Sequence, residues 1–287
     1  MSLILQRAYR EDPKQFDGTA TDRRDPDYIR EFLPLLELMW RYYFRVSARG
    51  FEHAPAGEPF LVVGNHNGGI NTPDAAMTLH GWCRQHGPDA PMYALMQPGI
   101  FTVPYLNVHA MKLGGLAASA RTALRVLESG APLMLYPGAG DDAYKPFRDR
   151  HRILFFGRDA FVRLALRLDI PILPVVTVGA HETLIVFDDG RERARELGLD
   201  QQGVERLPLT FSFPYGLALG TPFNVPFPVQ IDMRMGPPIR FAGAGPKAAN
   251  DPAKVKRGYD AVVHVMQAMM DRMVAERAAK RHPAATA

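Results

Sequence analysis

His66 and Asp74 are the residues of this sequence best suited to move a proton. They lie in Phe60-Leu-Val-Val-Gly-Asn-His66-Asn-Gly-Gly-Ile-Asn-Thr-Pro-Asp74, which reads as a buried strand, a glycine loop and a helix start. Leu61, Val62 and Val63 form the short apolar run of a strand covered on both faces. Thr72 suits an N-cap, Pro73 the first helical position and Asp74 the first turn. His66 then stands at the carboxyl end of a strand, where open α/β sheets bind ligands. A neutral imidazole in that place can take a proton from a hydroxyl, an effect of ~10²–10⁴-fold in rate. A carboxylate on its other nitrogen fixes the tautomer and favours the imidazolium. The bland reading is a helix-start acid beside a satisfied loop histidine, and the pair alone leaves both open. A metal site using His66, Asp74 and His80 would need a ligand well down the following helix, so no metal is expected.

A second glycine loop, Pro137-Gly138-Ala139-Gly140-Asp141-Asp142, follows the apolar run Leu133–Tyr136. Backbone N–H groups in such a loop can hold a phosphate or an oxyanion, although an ordinary βα turn has the same composition. Lys145, Arg148, Arg150, Arg152 and Arg158 follow it, either as a solvated basic face or as a holder of an anionic head group. His181-Glu182 reads as a polar pair that satisfies backbone groups. Ser2, Ser47, Ser119, Ser129 and Ser212 are the only serines, and none stands in a G-x-S-x-G elbow. There is no Walker loop and no dinucleotide fingerprint.

The elements that must position these groups alternate. Helices are expected over Asp27 to about Val46 with a break at Pro34, Ala75 to about Gln85, Ala120–Glu128, Gly157–Leu168 and Pro252 to about Lys280. Strands are expected at 61–63, Pro91–Met96, Leu133–Tyr136, Ile172–Val178, Val229–Met235 and Ile239–Phe241, and residues 101–116 as helix or loop. Such alternation predicts an α/β fold with a mostly parallel, covered sheet, an N-terminal helical segment and a C-terminal helix. Residues 1–50 are expected as an arm plus amphipathic helix, and 51–287 as the α/β domain. Trp40, Tyr42, Tyr43 and Phe44 with Arg41 and Arg45 have the composition of an interfacial helix, but a helix packed on the core is the expected outcome. Residues 207–231 carry no charge and include five prolines; they read as a loop that covers the core, walls a cavity or dips into lipid.

Composition narrows the partners. With 47% hydrophobic and 22% charged residues the chain is an ordinary globular one. A net charge of +4 suits an anionic membrane surface or phosphorylated ligands and is too mild to argue for nucleic acid. The lone Cys83 allows neither an intrachain disulfide nor a cysteine metal cluster. The N-terminus turns polar too soon for a signal peptide, and no stretch is suited to span a membrane.

The ordered blocks Gly64-Asn-His66…Asp74, Leu113-Gly-Gly-Leu-Ala-Ala-Ser119, Leu135-Tyr-Pro-Gly-Ala-Gly140 and Pro171-Ile-Leu-Pro-Val175 resemble the glycerolipid acyltransferase superfamily over roughly residues 55–185. The resemblance implies an O-acyltransferase of phospholipid or glycerolipid biosynthesis, like the 1-acylglycerol-3-phosphate enzymes. It would use acyl-CoA or acyl-carrier protein as co-substrate, no cofactor, and a lysophospholipid or related lipid hydroxyl as acceptor. It also implies a cytoplasmic, peripherally membrane-associated location. His66 and Asp74 would be catalytic, with Asn65, Gly138, Ala139, Gly140, Lys145, Arg152 and Arg158 about the substrate, oxyanion or phosphate. A lipid or thioester hydrolase, and a non-catalytic lipid- or acyl-CoA-binding protein, are the alternatives. The chain departs from the family in two places. Seven residues separate His66 from Asp74 where four are usual, and Gly138 and Gly140-Asp141 replace the Glu and Thr-Arg of Phe-Pro-Glu-Gly-Thr-Arg.

Overall fold

The computed structural model describes residues 7–220 and 224–281. Strands β1 (Ser47–Arg49), β2 (Leu61–Gly64), β3 (Tyr93–Met96), β4 (Gly115–Ala117), β5 (Leu133–Leu135), β6 (Ile172–Val178) and β10 (Asp232–Met235) form one sheet in the order β1-β10-β6-β2-β5-β3-β4. Every neighbouring pair is parallel except β10 with β6. The helices are α1 (Pro26–Leu38), α2 (Pro73–His86), α3 (Leu106–Lys112), α4 (Ala120–Glu128), α5 (Ala139–Ala143), α6 (Ala160–Leu168), α7 (Arg191–Glu196), α8 (Pro246–Ala249) and α9 (Pro252–Arg281).

The sheet is covered on both faces because its central strands are apolar throughout. Leu61, Val63, Leu133, Leu135, Ile172 and Val176 face one core with α4, α6 and α9. Val62, Met134, Leu173 and Val175 face the other with α1 and α2. Burying a side chain of this size contributes about 1.5–3 kcal/mol, so β2, β5 and β6 form a rigid platform. Their carboxyl ends lie side by side, and the segments leaving them are 65–74, 136–145 and 179–184.

Residues 39–43 continue α1 as a π-helical turn; Trp40 and Phe44 are buried beside Ile29 and Leu36, while Tyr42 is 73% exposed. The segment thus packs on the core. β1 joins the edge of the main sheet beside β10. Of the stretch 101–116, Leu106–Lys112 is α-helical, residues 101 and 102 end a 3-10 turn (Pro98–Thr102), and Gly115 already opens β4.

The uncharged stretch holds more structure than its prolines imply, although residues 221–223 fall outside those described. β8 (Leu209–Ser212) and β9 (Gly216–Leu219) form a hairpin that pairs with β7 (Ile185–Asp188) in a separate antiparallel sheet. Pro208 and Pro214 flank β8 instead of interrupting it, so no ladder hydrogen bond is lost.

Candidate active site

His66 leaves the end of β2, and its Nδ1 lies 2.9 Å from Asp74 Oδ2 at the start of α2. Three extra residues are absorbed by a single turn at Gly69–Asn71. Gly68 and Gly69 have φ of 78° and 64°, and a Cβ on them would stand 2.6 Å from Thr183 Oγ1 and Leu184 Cδ2, respectively. Only glycine closes the loop this tightly. Thr72 is at the N-cap position, yet its backbone is left-handed (φ 38°) and its side chain makes no capping bond. The capping expected of it is absent because the chain must turn there to deliver Asp74.

Asp74 is fully buried, and His66 keeps 16% of its side chain exposed. Burial opposes a charged imidazole. The Asp74 carboxylate, aided by Asp142, more than offsets it and holds the His66 pKa above its ordinary value. With Nδ1–H donated to Asp74, Nε2 carries the lone pair that accepts a proton. The Tyr136 ring stacks on the imidazole, centroids 4.5 Å apart. Its hydroxyl donates to Thr78 Oγ1 (3.3 Å), and Thr78 donates to Asp74 O (2.8 Å). Burial and the Asp74 charge keep that phenol neutral.

The second glycine loop reaches the same place. Asp142, at 0% exposure, accepts the His66 backbone N–H on Oδ2 (2.6 Å) and the Lys145 ammonium on Oδ1 (2.6 Å). Lys145 is 1% exposed and also donates to Arg152 O (3.0 Å). Its ammonium is therefore directed inward, onto the loop that carries His66. Gly138 has no room for a Cβ, which would meet Asp142 Cβ at 2.3 Å and Leu154 O at 2.6 Å. That contact explains why no glutamate stands there. The Ala139 N–H donates to Tyr136 O, and the Asp141 and Asp142 N–H groups to Gly138 O.

The remaining expected residues divide. Asn65 is buried and clamps β2 to β6, accepting the Thr177 N–H (2.8 Å) and donating to Thr177 O (3.1 Å). Arg152 is exposed and pairs with Asp149. Arg158 donates to Gly138 O (2.8 Å) and pairs with Asp141, where Arg191 and Arg206 also converge. Arg206 reaches Gly140 O as well (2.9 Å). His80 pairs with Glu37 (2.7 Å), away from His66. His181 donates from Nε2 to Lys145 O (2.8 Å); burial and the Lys145 charge push its pKa down to about 3, so it stays neutral. No cluster of three metal-ligating side chains occurs among the described residues. Asp142 and Tyr136 are parts of the site that sequence reasoning did not single out, although both adjoin the Pro137–Gly140 loop.

A histidine base oriented by a buried carboxylate, at the end of a central parallel strand and with no placed serine, suits direct transfer between an activated donor and a hydroxyl. The family described as Acyltransferase matches residues 45–178. An uncharacterized protein of Mycobacterium tuberculosis is 31% identical over 244 residues, covering 85% of this chain and 66% of that one. One of Mycobacterium leprae is 28% identical over 254 residues, covering 88% and 67%. The chain thus spans about two thirds of the length of these relatives. In fold it is similar to the crystal structure of the 1-acyl-sn-glycerophosphate (LPA) acyltransferase PlsC from Thermotoga maritima. That likeness has a TM-score of 0.54 at 17% identity, over 95% of this chain and 87% of that one. Residues 45–178 thus carry the match to the Acyltransferase family, and the chain as a whole shares the fold of that solved acyltransferase.

Proposed function

We propose that this protein is an O-acyltransferase that moves a fatty acyl group from acyl-CoA or acyl-carrier protein to a lysophospholipid or related lipid hydroxyl. The observation that carries the reading is the 2.9 Å contact between His66 Nδ1 and buried Asp74, which leaves Nε2 as the accepting nitrogen. His66 Nε2 takes the acceptor's hydroxyl proton as its oxygen attacks the thioester carbonyl. The tetrahedral intermediate collapses, the C–S bond breaks, and the imidazolium returns the proton to the leaving thiolate. Asp74 stabilises the imidazolium between those steps. Because the thioester is already activated, no acyl-enzyme is required. The N–H groups of Gly138 and Gly140, on either side of Ala139, are the proposed oxyanion donors, an effect of ~3–4 kcal/mol each in such sites. Arg158 is the proposed contact for a phosphate, while Asn65, Lys145 and Asp142 hold the two loops in place.

A lipid acceptor implies work at a membrane surface. No helix among the described residues is long and apolar enough to cross a membrane, so the proposed association is peripheral. The test is product analysis by mass after incubation with a long-chain acyl-CoA or acyl-carrier protein, with and without glycerol 3-phosphate, lysophospholipids or neutral alcohols. An acylated acceptor supports the reading. Free fatty acid formed equally without any acceptor would instead make the protein a thioester hydrolase.

A further inference from the structure

The small sheet is built the wrong way round for water. In an antiparallel sheet with one covered face, apolar side chains normally point inward and polar ones outward. Here Val186, Thr210 and Ser212 are buried, while Phe187, Phe211, Phe213, Tyr215, Leu217 and Leu219 are between 45% and 64% exposed. The register makes this a surface. Phe211 lies opposite both Ile185 and Leu217, and Leu209 lies opposite Leu219. The inward Ser212 hydroxyl has no partner among the described residues, so the polar group sits where an apolar one would normally pack.

We propose that this outer face of the β7–β8–β9 sheet docks on a lipid bilayer, with the tip residues Phe213 and Tyr215 entering the interface. The proposal rests on the lipid acceptor of the preceding section and names the surface that brings it to His66. Charge selects the occupant. A bilayer interior has no partner to offer a charge, and residues 207–231 bring none to it. A protein partner would ordinarily be met with a polar rim. The nearest charge on the sheet is Asp188, on the outer strand β7, and it is paired with Arg193 (3.4 Å). Tyr215 is of the type that favours the membrane–water boundary, and Phe and Leu are the types that interfacial elements bury among the acyl chains.

Position agrees with charge. Phe227 stacks on Phe211 at 5.9 Å, and its N–H donates to Thr183 O (2.9 Å). Thr183 is the residue against Gly68, two positions after His66. Asn71 donates to both Asn224 O and Oδ1 at 2.9 Å, and the next residue, Val225, bridges to Phe213. The apolar face is therefore continuous with the loop that closes the His66–Asp74 pair.

The test is co-sedimentation of the full chain with phosphatidylcholine vesicles, with and without phosphatidylglycerol, at low and high salt. It compares the parent with Phe213→Ser/Leu217→Asp, whose exposed positions leave the fold intact. Expected are parent binding to neutral vesicles that survives high salt, and binding at least about tenfold weaker in the double variant. Thiol release with a water-soluble short-chain thioester and alcohol should be the same in both. The proposal is overturned if the parent ignores neutral vesicles, if binding is lost at high salt, or if the variant binds equally. A parent that is dimeric by size exclusion, with a monomeric variant, would assign the face to a second copy instead. Binding is scored without turnover, so a chain that binds but never acylates overturns only the acyltransferase reading.

Discussion

Asp74 Oδ2 stands 2.9 Å from His66 Nδ1 although seven residues separate them. Gly68 and Gly69, both with positive φ, fold the intervening chain into one turn. The wider spacing thus preserves the geometry by which a carboxylate orients an imidazole and stabilises its charged form.

That closure depends on the absence of two Cβ atoms. Gly69→Ala should destabilise the protein by about 1 kcal/mol or more, because it meets both a positive φ and the Leu184 side chain. Activity should fall further than stability as Asp74 is displaced. Thermal denaturation alongside acyl-transfer kinetics checks this.

The acidic limb of the pH–rate profile should report His66. Burial opposes its charge, but Asp74 and Asp142 outweigh burial, so its pKa is held above the ordinary histidine value. The base acts only when neutral, and the rate should therefore fall as pH drops through that raised value. Asp74→Asn removes the main charge favouring the imidazolium. Its limb should move to lower pH, with a reduced plateau, in a kcat/KM profile.

The Asp142–Lys145 pair should behave as a buried ion pair. Lys145→Met leaves the Asp142 carboxylate buried without its cation, and should destabilise by about 3–5 kcal/mol. Asp142→Asn combined with Lys145→Met removes both charges and should recover much of that loss. Denaturant unfolding of the two variants and the parent tests the coupling. In the double variant the pH limb should move little, because Asp142 raises and Lys145 lowers the His66 pKa and both charges are gone.

Tyr136 should act through packing. Tyr136→Phe keeps the stacked ring and should alter activity little. Tyr136→Ala removes one wall of the imidazole and should lower kcat more than it raises KM. Steady-state kinetics of the two variants distinguish the ring from the hydroxyl.

Much of this was legible in the sequence because the central strands are short apolar runs with glycine loops at their ends. The expected Ile172–Val178 strand and Ala120–Glu128 helix have those same bounds in the structure. The hairpin was not legible. Its prolines read as loop, and its apolar residues face outward, so alternation gave no sign of a buried face. Lys145 looked like one member of a surface basic run, yet it turns inward to 1% exposure because Asp142 meets it there. Nor does local pattern show that Asp142 would accept the His66 amide 76 residues away, which only the adjacency of β2 and β5 brings about.

The most direct test of the central claim is acceptor-dependent thiol release by His66→Ala against the parent, with both shown to unfold at the same temperature. If His66 is the general base, release should fall by about 10²–10⁴-fold while acyl-CoA binding persists. An unchanged rate in the folded variant would contradict the assignment of His66 and the mechanism built on it.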